Sequence, residues 1–109
     1  MRFDIKGHVA MLDSETKENI AAAGERLFGR LRDRIAALDV RVEHIAQTGA
    51  TLCQVTVLAA NRVQVLARHR DRDALKAVLT ALERARLQVA RALRSARQPR
   101  PAVLSEVTL

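Results

Sequence analysis

Hydrophobic periods of two kinds succeed one another along this chain in an order that predicts an α+β fold. The expected form is a β-α-β-β-β-α two-layer sandwich, a four-stranded sheet with two helices packed on one face. Three observations carry that expectation. Two long stretches space their apolar residues by three and four, four short ones alternate residue by residue, and turn residues separate the last three strands. The length of 109 residues allows one domain, and a hydrophobic content of 49% supplies one modest core. Residues 1–97 are expected to form that domain and 98–109 a flexible C-terminal tail without a period of its own.

Phe3 and Ile5 alternate with Arg2, Asp4 and Lys6, a short half-buried strand ended by Gly7. Asp13 or Ser14 then caps a helix, with Glu15 and Glu18 in the first turn, where the macrodipole favours negative charge. Ile20, Gly24, Leu27, Leu31 and Ile35, flanked by Phe28, extend that helix over 14–36. Leu38, Val40 and Val42 alternate with Asp39, Arg41 and Glu43, which makes a strand with one wet face. His44 continues the inward phase.

Gln47, Thr48 and Gly49 turn the chain into a strand whose Cys53, Val55, Val57 and Ala59 point inward. Asn61 and Arg62 turn it again, and Val63, Val65 and Ala67 form the inward row of the last strand. Asp71 or Asp73 opens the second helix, whose expected core face is Leu75, Val78, Leu79, Leu82, Ala85, Val89 and Leu93. Pro99 and Pro101 stop it. Arg86 projects into the middle of that face, so either its guanidinium snorkels to the edge or the helix is rotated. The first two strands, joined by a helix, imply a parallel crossover; the last three imply an antiparallel meander.

The net charge of +7 is unevenly placed. Residues 1–61 hold equal numbers of basic and acidic groups, whereas 62–100 hold eleven basic residues against Asp71, Asp73 and Glu83. A segment so basic fits a polyanion, of which nucleic acid is the commonest; the plain alternative is a solvated face. Disorder is excluded by the apolar content. No apolar run approaches the about 20 residues that span a bilayer, and no signal peptide is recognised, so no membrane association is expected. One cysteine makes neither an internal disulfide nor a zinc site, and a cytoplasmic location is expected.

Catalysis finds little support. His8, His44 and His69 are scattered without metal-ligand spacing, and Cys53 lies in inward phase as a small apolar residue. Four ungrouped glycines exclude phosphate loops and dinucleotide fingerprints. No nucleophile, base and orienting group come together, so neither an enzyme nor a cofactor, metal or small-molecule substrate is expected.

The basic residues are better organised. On the second helix Lys76, Arg84, Arg91 and Arg94 fall within about 80° of one another, beside the apolar face. On the first, Arg26, Arg30 and Arg34 are spaced by four along one flank. Two such rows suit an RNA phosphate backbone, which the planar fork of arginine binds well; Glu25 or Glu83 pairing with some of them is the plain alternative. With only Phe3 and Phe28, both in core phase, and no Trp or Tyr, there is no platform for stacking single-stranded bases. Folded RNA read by shape and phosphate is therefore favoured.

The chain resembles the ribosome hibernation factor family (ribosome-associated inhibitor, sigma-54 modulation type) in its short form, over residues 2–97. The resemblance rests on the β-α-β-β-β-α order, Gly7-His8 after the first strand, Arg26-Leu27 and Asp33-Arg34-Ile35 around the first helix, and Ala77-Val78 and Leu82-Glu83-Arg84 in the second. It implies a cytoplasmic, non-catalytic protein that binds the small ribosomal subunit, through 16S rRNA, in the tRNA and mRNA cleft. Translation is then blocked and idle ribosomes are protected in stationary phase or starvation.

Family binding residues correspond by position to Arg26, Arg84 and Arg91; Arg30, Arg34, Lys76 and Arg94 are added by the local rows alone. The pattern departs at Leu87, where the family carries a base, and near Leu75, where it often carries an aromatic. A 12-residue tail is too short for the C-terminal dimerisation domain of long members, so ribosome pairing through such a domain is not implied. The oligomeric state is left open. The competing reading is a protein-interaction or regulatory module that kept the fold and lost the ribosome.

Overall fold

The computed structural model describes residues 1–7 and 13–97. His8, the proline stop of the second helix and the tail 98–109 lie outside the described residues. The elements are β1 (Arg2–Gly7), α1 (Ser14–Phe28), β2 (Ile35–Ile45), β3 (Ala50–Ala59), β4 (Gln64–Asp71) and α2 (Ala74–Arg97). The strands lie in the order β1-β2-β3-β4, with β1 parallel to β2 and the other pairs antiparallel. This is the expected α+β sandwich.

Strand alternation sets the two faces. Leu38, Val40 and Val42 of β2, Cys53, Val55 and Val57 of β3, and Val65 and Ala67 of β4 are buried beneath the helices. Ile20, Ala23 and Phe28 of α1 and Ala77, Val78, Ala81, Leu82, Ala85, Val89 and Leu93 of α2 complete the core. Removing a fully buried leucine such as Leu82 would cost about 2–5 kcal/mol, because the cavity left behind relaxes only in part. The outer face is largely polar, apart from the exposed Leu58 and Leu66.

The caps are resolved by hydrogen bonds. Asp13 is the N-cap of α1, its Oδ1 accepting the Thr16 N–H at 2.7 Å. At α2, Asp73 Oδ1 accepts the Lys76 N–H at 3.1 Å, while Asp71 Oδ1 accepts the Asp73 N–H at 2.9 Å. Both aspartates therefore shape the entry to α2. Gly49 closes the β2–β3 turn with φ +72, a conformation that disfavours any residue with a Cβ.

Three expectations are corrected. The first helix stops at Phe28 instead of continuing to 36; the chain tightens into a 3-10 turn over Gly29–Arg34, and Ile35 begins β2. A register shift between Ile35 and Ala37 turns Ile35 into the core together with Leu38. The resulting inward residues continue helical spacing, which is why the run reads as helix. The core face of α2 is rotated by about 50° from the expected one, since Ala77, Ala81 and Ala85 are buried while Leu75 is 41% exposed. Small residues allow the helix close to the sheet, and the rotation carries Arg86 to the edge of the core. His44, in inward phase, is nevertheless exposed. Its row partner Thr51 lies on β3, beneath α2, which packs on β3 and β4, so only Thr51 is covered.

Candidate nucleic-acid interface

Both helices run antiparallel to the strands that precede them, so they lie parallel to each other on the sheet. Their facing sides confirm it: early α1 residues Asn19 and Ala22 border Leu75, and Leu31 beyond α1 borders Ala90 of α2. The valley between them widens into two hollows that meet at Arg26. One, of about 250 Å³, is walled mainly by alanine and leucine. The other, of about 310 Å³, is lined by Arg26, Leu27, Arg30, Leu31, Arg86 and Ala90.

The seven basic side chains singled out above do not form one patch. Arg26 and Arg30 border the valley. Arg34 ends the 3-10 turn, half-buried where β2 begins. Lys76, Arg84, Arg91 and Arg94 are exposed on α2. Arg84 leans over β4, its Nη1 donating to the Arg68 carbonyl at 3.2 Å, on the flank of α2 away from α1. Among the described residues, none of these seven takes part in an ion pair within 4.0 Å. Glu25, the nearest acid on α1, is engaged by Arg32 at 3.4 Å. Apart from the half-buried Arg34, these side chains are thus exposed to solvent, where a polyanion could reach them.

Two basic features escape a reading by helix phase. Arg86 lies two residues and so about 200° round α2 from Arg84, inside the valley. Its misfit on an apolar face is the signal that marks it. On the outer sheet face Lys6, Arg41, Gln54 and Arg68 form one cross-strand row, with Arg68 Nε donating to Gln54 Oε1 at 3.1 Å. Strand alternation marks that row, but Asp4, Asp39 and Glu43 on the same face dilute it.

Chemistry at Cys53 is suppressed. Cys53 and His69 are cross-strand partners, and His69 Nε2 lies 3.8 Å from Asp71 Oδ2, a set that superficially suits nucleophilic catalysis. Burial pushes the Cys53 thiol up to about 12, far from the thiolate such chemistry needs. Backbone hydrogen bonds hold the Asp13 and Asp71 carboxyls below their ordinary range, from Thr16 and Asp73 respectively. Among the described residues no cluster of three His, Cys, Asp or Glu is placed to hold a metal, and no helix is long and apolar enough to cross a membrane.

No protein-family model matches the chain, and no curated protein matches it in sequence. Solved structures do match in fold. The N-terminal domain of Thermus thermophilus protein Y superposes with a TM-score of 0.71 at 18% identity, covering 84% of this chain and 98% of that one. A ribosomal subunit interface protein from Coxiella burnetii superposes with a TM-score of 0.68 at 14% identity, covering 86% of this chain and 99% of that one. Both carry the architecture that the sequence resemblance implies.

Proposed function

We propose that this chain is a ribosome hibernation factor: a cytoplasmic, non-enzymatic protein whose domain binds the small ribosomal subunit at the tRNA and mRNA cleft and silences translation. The observation that carries the reading is the state of the basic side chains. Arg26, Arg30, Arg34, Lys76, Arg84, Arg91 and Arg94 stand on or beside the two helices without a carboxylate partner among the described residues. Unpaired arginines on a rigid helical layer suit the phosphates of folded RNA, and the scarcity of aromatics suits recognition without base stacking. The fold shared with a protein described as a ribosomal subunit interface protein supports the same partner.

Sedimentation of stationary-phase lysate tests it. The protein is expected with 30S or 70S particles, and recovery in the soluble pool alone would reject the reading. Arg84→Glu with Arg91→Glu should release it from ribosomes while leaving its melting curve cooperative.

A second reading, an interaction module that has lost the ribosome, is favoured by Leu87. This side chain is 47% exposed on α2, at a position where the resembled family carries a base. An apolar interface there would bind with little dependence on salt, whereas phosphate contacts weaken steeply with it.

A further inference from the structure

Among the described residues, Arg86 is the one basic residue of α2 that the valley between the helices draws inward. Its side chain is half-buried, and its Nε is fully buried with no hydrogen-bond partner. A buried guanidinium N–H left unpaired is costly, and native structures rarely keep one without a use. Arg26, on α1, and Arg30, in the 3-10 turn that follows it, line the same hollow. Among the described residues no carboxylate lines it. Three guanidinium groups around one open hollow of about 310 Å³ repel one another until an anion arrives.

We propose that Arg26, Arg30 and Arg86 form a cleft that clamps one phosphate of an RNA strand between the two helices. The proposal rests on the ribosome-binding reading and goes further by naming a contact in the valley rather than on the outer flank of α2. Arginine forks pair with the non-bridging oxygens of a phosphodiester, and the Arg86 side chain lines the hollow beside Arg26 and Arg30. Past Arg26 the valley runs into the second, apolar hollow, walled by Ala22, Leu75 and Leu79. The valley is therefore open past Arg26, with room for the sugars of a phosphodiester chain that continues beyond the clamped phosphate. The same placement accounts for an arginine on an otherwise apolar helix face.

The test uses the intact chain and its Arg86→Met variant, with Arg26→Gln plus Arg30→Gln as a second variant that leaves the half-buried position untouched. Inorganic phosphate, titrated at constant ionic strength against chloride, should raise the melting temperature of the wild-type chain. Both variants should bind it about tenfold more weakly, the loss of one or more charge-assisted hydrogen bonds. In phosphate-free buffer Arg86→Met should melt no lower than wild type, since it removes an unpaired buried donor. Ribosome co-sedimentation then separates the two readings. If Arg86→Met binds ribosomes as wild type does while Arg84→Glu with Arg91→Glu does not, the cleft is overturned and the function stands. If the wild-type chain ignores ribosomes, the function falls. A phosphate response unchanged in both variants overturns the cleft on its own.

Discussion

The ring of Phe3 occupies the space beside the Gly24 α-carbon, so that a methyl group there would overlap its edge at Cε2 and Cζ. This contact ties the edge strand β1 to α1. Glycine inside a helix costs about 1 kcal/mol relative to alanine, so its presence reflects packing rather than propensity. Gly24→Ala should therefore destabilise by about 1–2 kcal/mol in urea melts, the overlap outweighing the gain in helix propensity. In a Phe3→Ala background the same substitution should stabilise by up to about 1 kcal/mol. A double-mutant cycle without that change of sign would show that the ring does not govern the position.

The turn before β4 holds two non-glycine residues at positive φ, Asn61 at 60° and Arg62 at 62°. Asparagine tolerates this region; arginine, with a long side chain and an ordinary Cβ, is strained there. Arg62→Gly should raise stability by about 0.5–1 kcal/mol, since the relief of strain exceeds the added freedom of the unfolded chain. Equilibrium unfolding would measure it, and a loss of stability would show that Arg62 makes a contact worth more than the strain.

Much of this architecture was legible because strand alternation and helix spacing rarely imitate each other. Where they did, the sequence misled: Leu27, Leu31 and Ile35 follow one another by four and pass for helix, although the chain leaves the α-helix at Phe28 and Ile35 begins β2, turned inward by a register shift. Leucines also drew the expected face of α2 toward Leu75, whereas Ala77, Ala81 and Ala85 seat the helix. Alanine carries little hydrophobic signal, yet it sets how closely a helix approaches a sheet. The basic rows were visible from phase alone. That Arg26 and Arg86 share a valley, while Arg84 lies over β4, depends on which flanks of two distant helices meet, and no local period encodes that.

Cys53 offers a clean report on opening of the core. Fully buried, with its thiol pushed up to about 12, it should react with a thiol reagent near pH 8 only as fast as the sheet unfolds. The raised value also has a consequence for stability. Because the folded value lies above the unfolded thiol value of ~8.5, stability is fully present below that value and is lost progressively as pH rises from there toward about 12, where only the unfolded chain ionises. Cys53→Ala should flatten the alkaline limb of the melting curve. Labelling as fast as that of a free thiol under native conditions would contradict the burial.

At the acid end the sign reverses. Asp13 and Asp71 are both held below their ordinary range by accepting backbone N–H groups. Their contribution is present above the unfolded carboxyl value of about 3.9 and disappears as pH falls through the lower folded values. Asp13→Asn with Asp71→Asn keeps an oxygen acceptor at each cap but removes the titration. Thermal melts between about pH 2 and 6 should show a shallower acid limb in the double variant, and curves that stay parallel would place the acid sensitivity elsewhere.

Salt dependence is the sharpest reading of the interface as a whole. If the helical arginines meet phosphates, the logarithm of ribosome affinity should fall linearly with the logarithm of salt concentration, with a slope near one per phosphate neutralised. Replacing a contacting residue by glutamine should then reduce the slope by about 0.7–1 as well as the affinity. Arg91, exposed on α2, and Arg84, held against the Arg68 carbonyl, are the positions to compare. Arg84 is already oriented by its hydrogen bond, so it gives up less freedom on binding, and its loss should lower affinity more than loss of Arg91. Equal slopes for wild type and both variants would mean that affinity comes from contacts other than these two arginines, and the exposed Leu87 would be the next place to look.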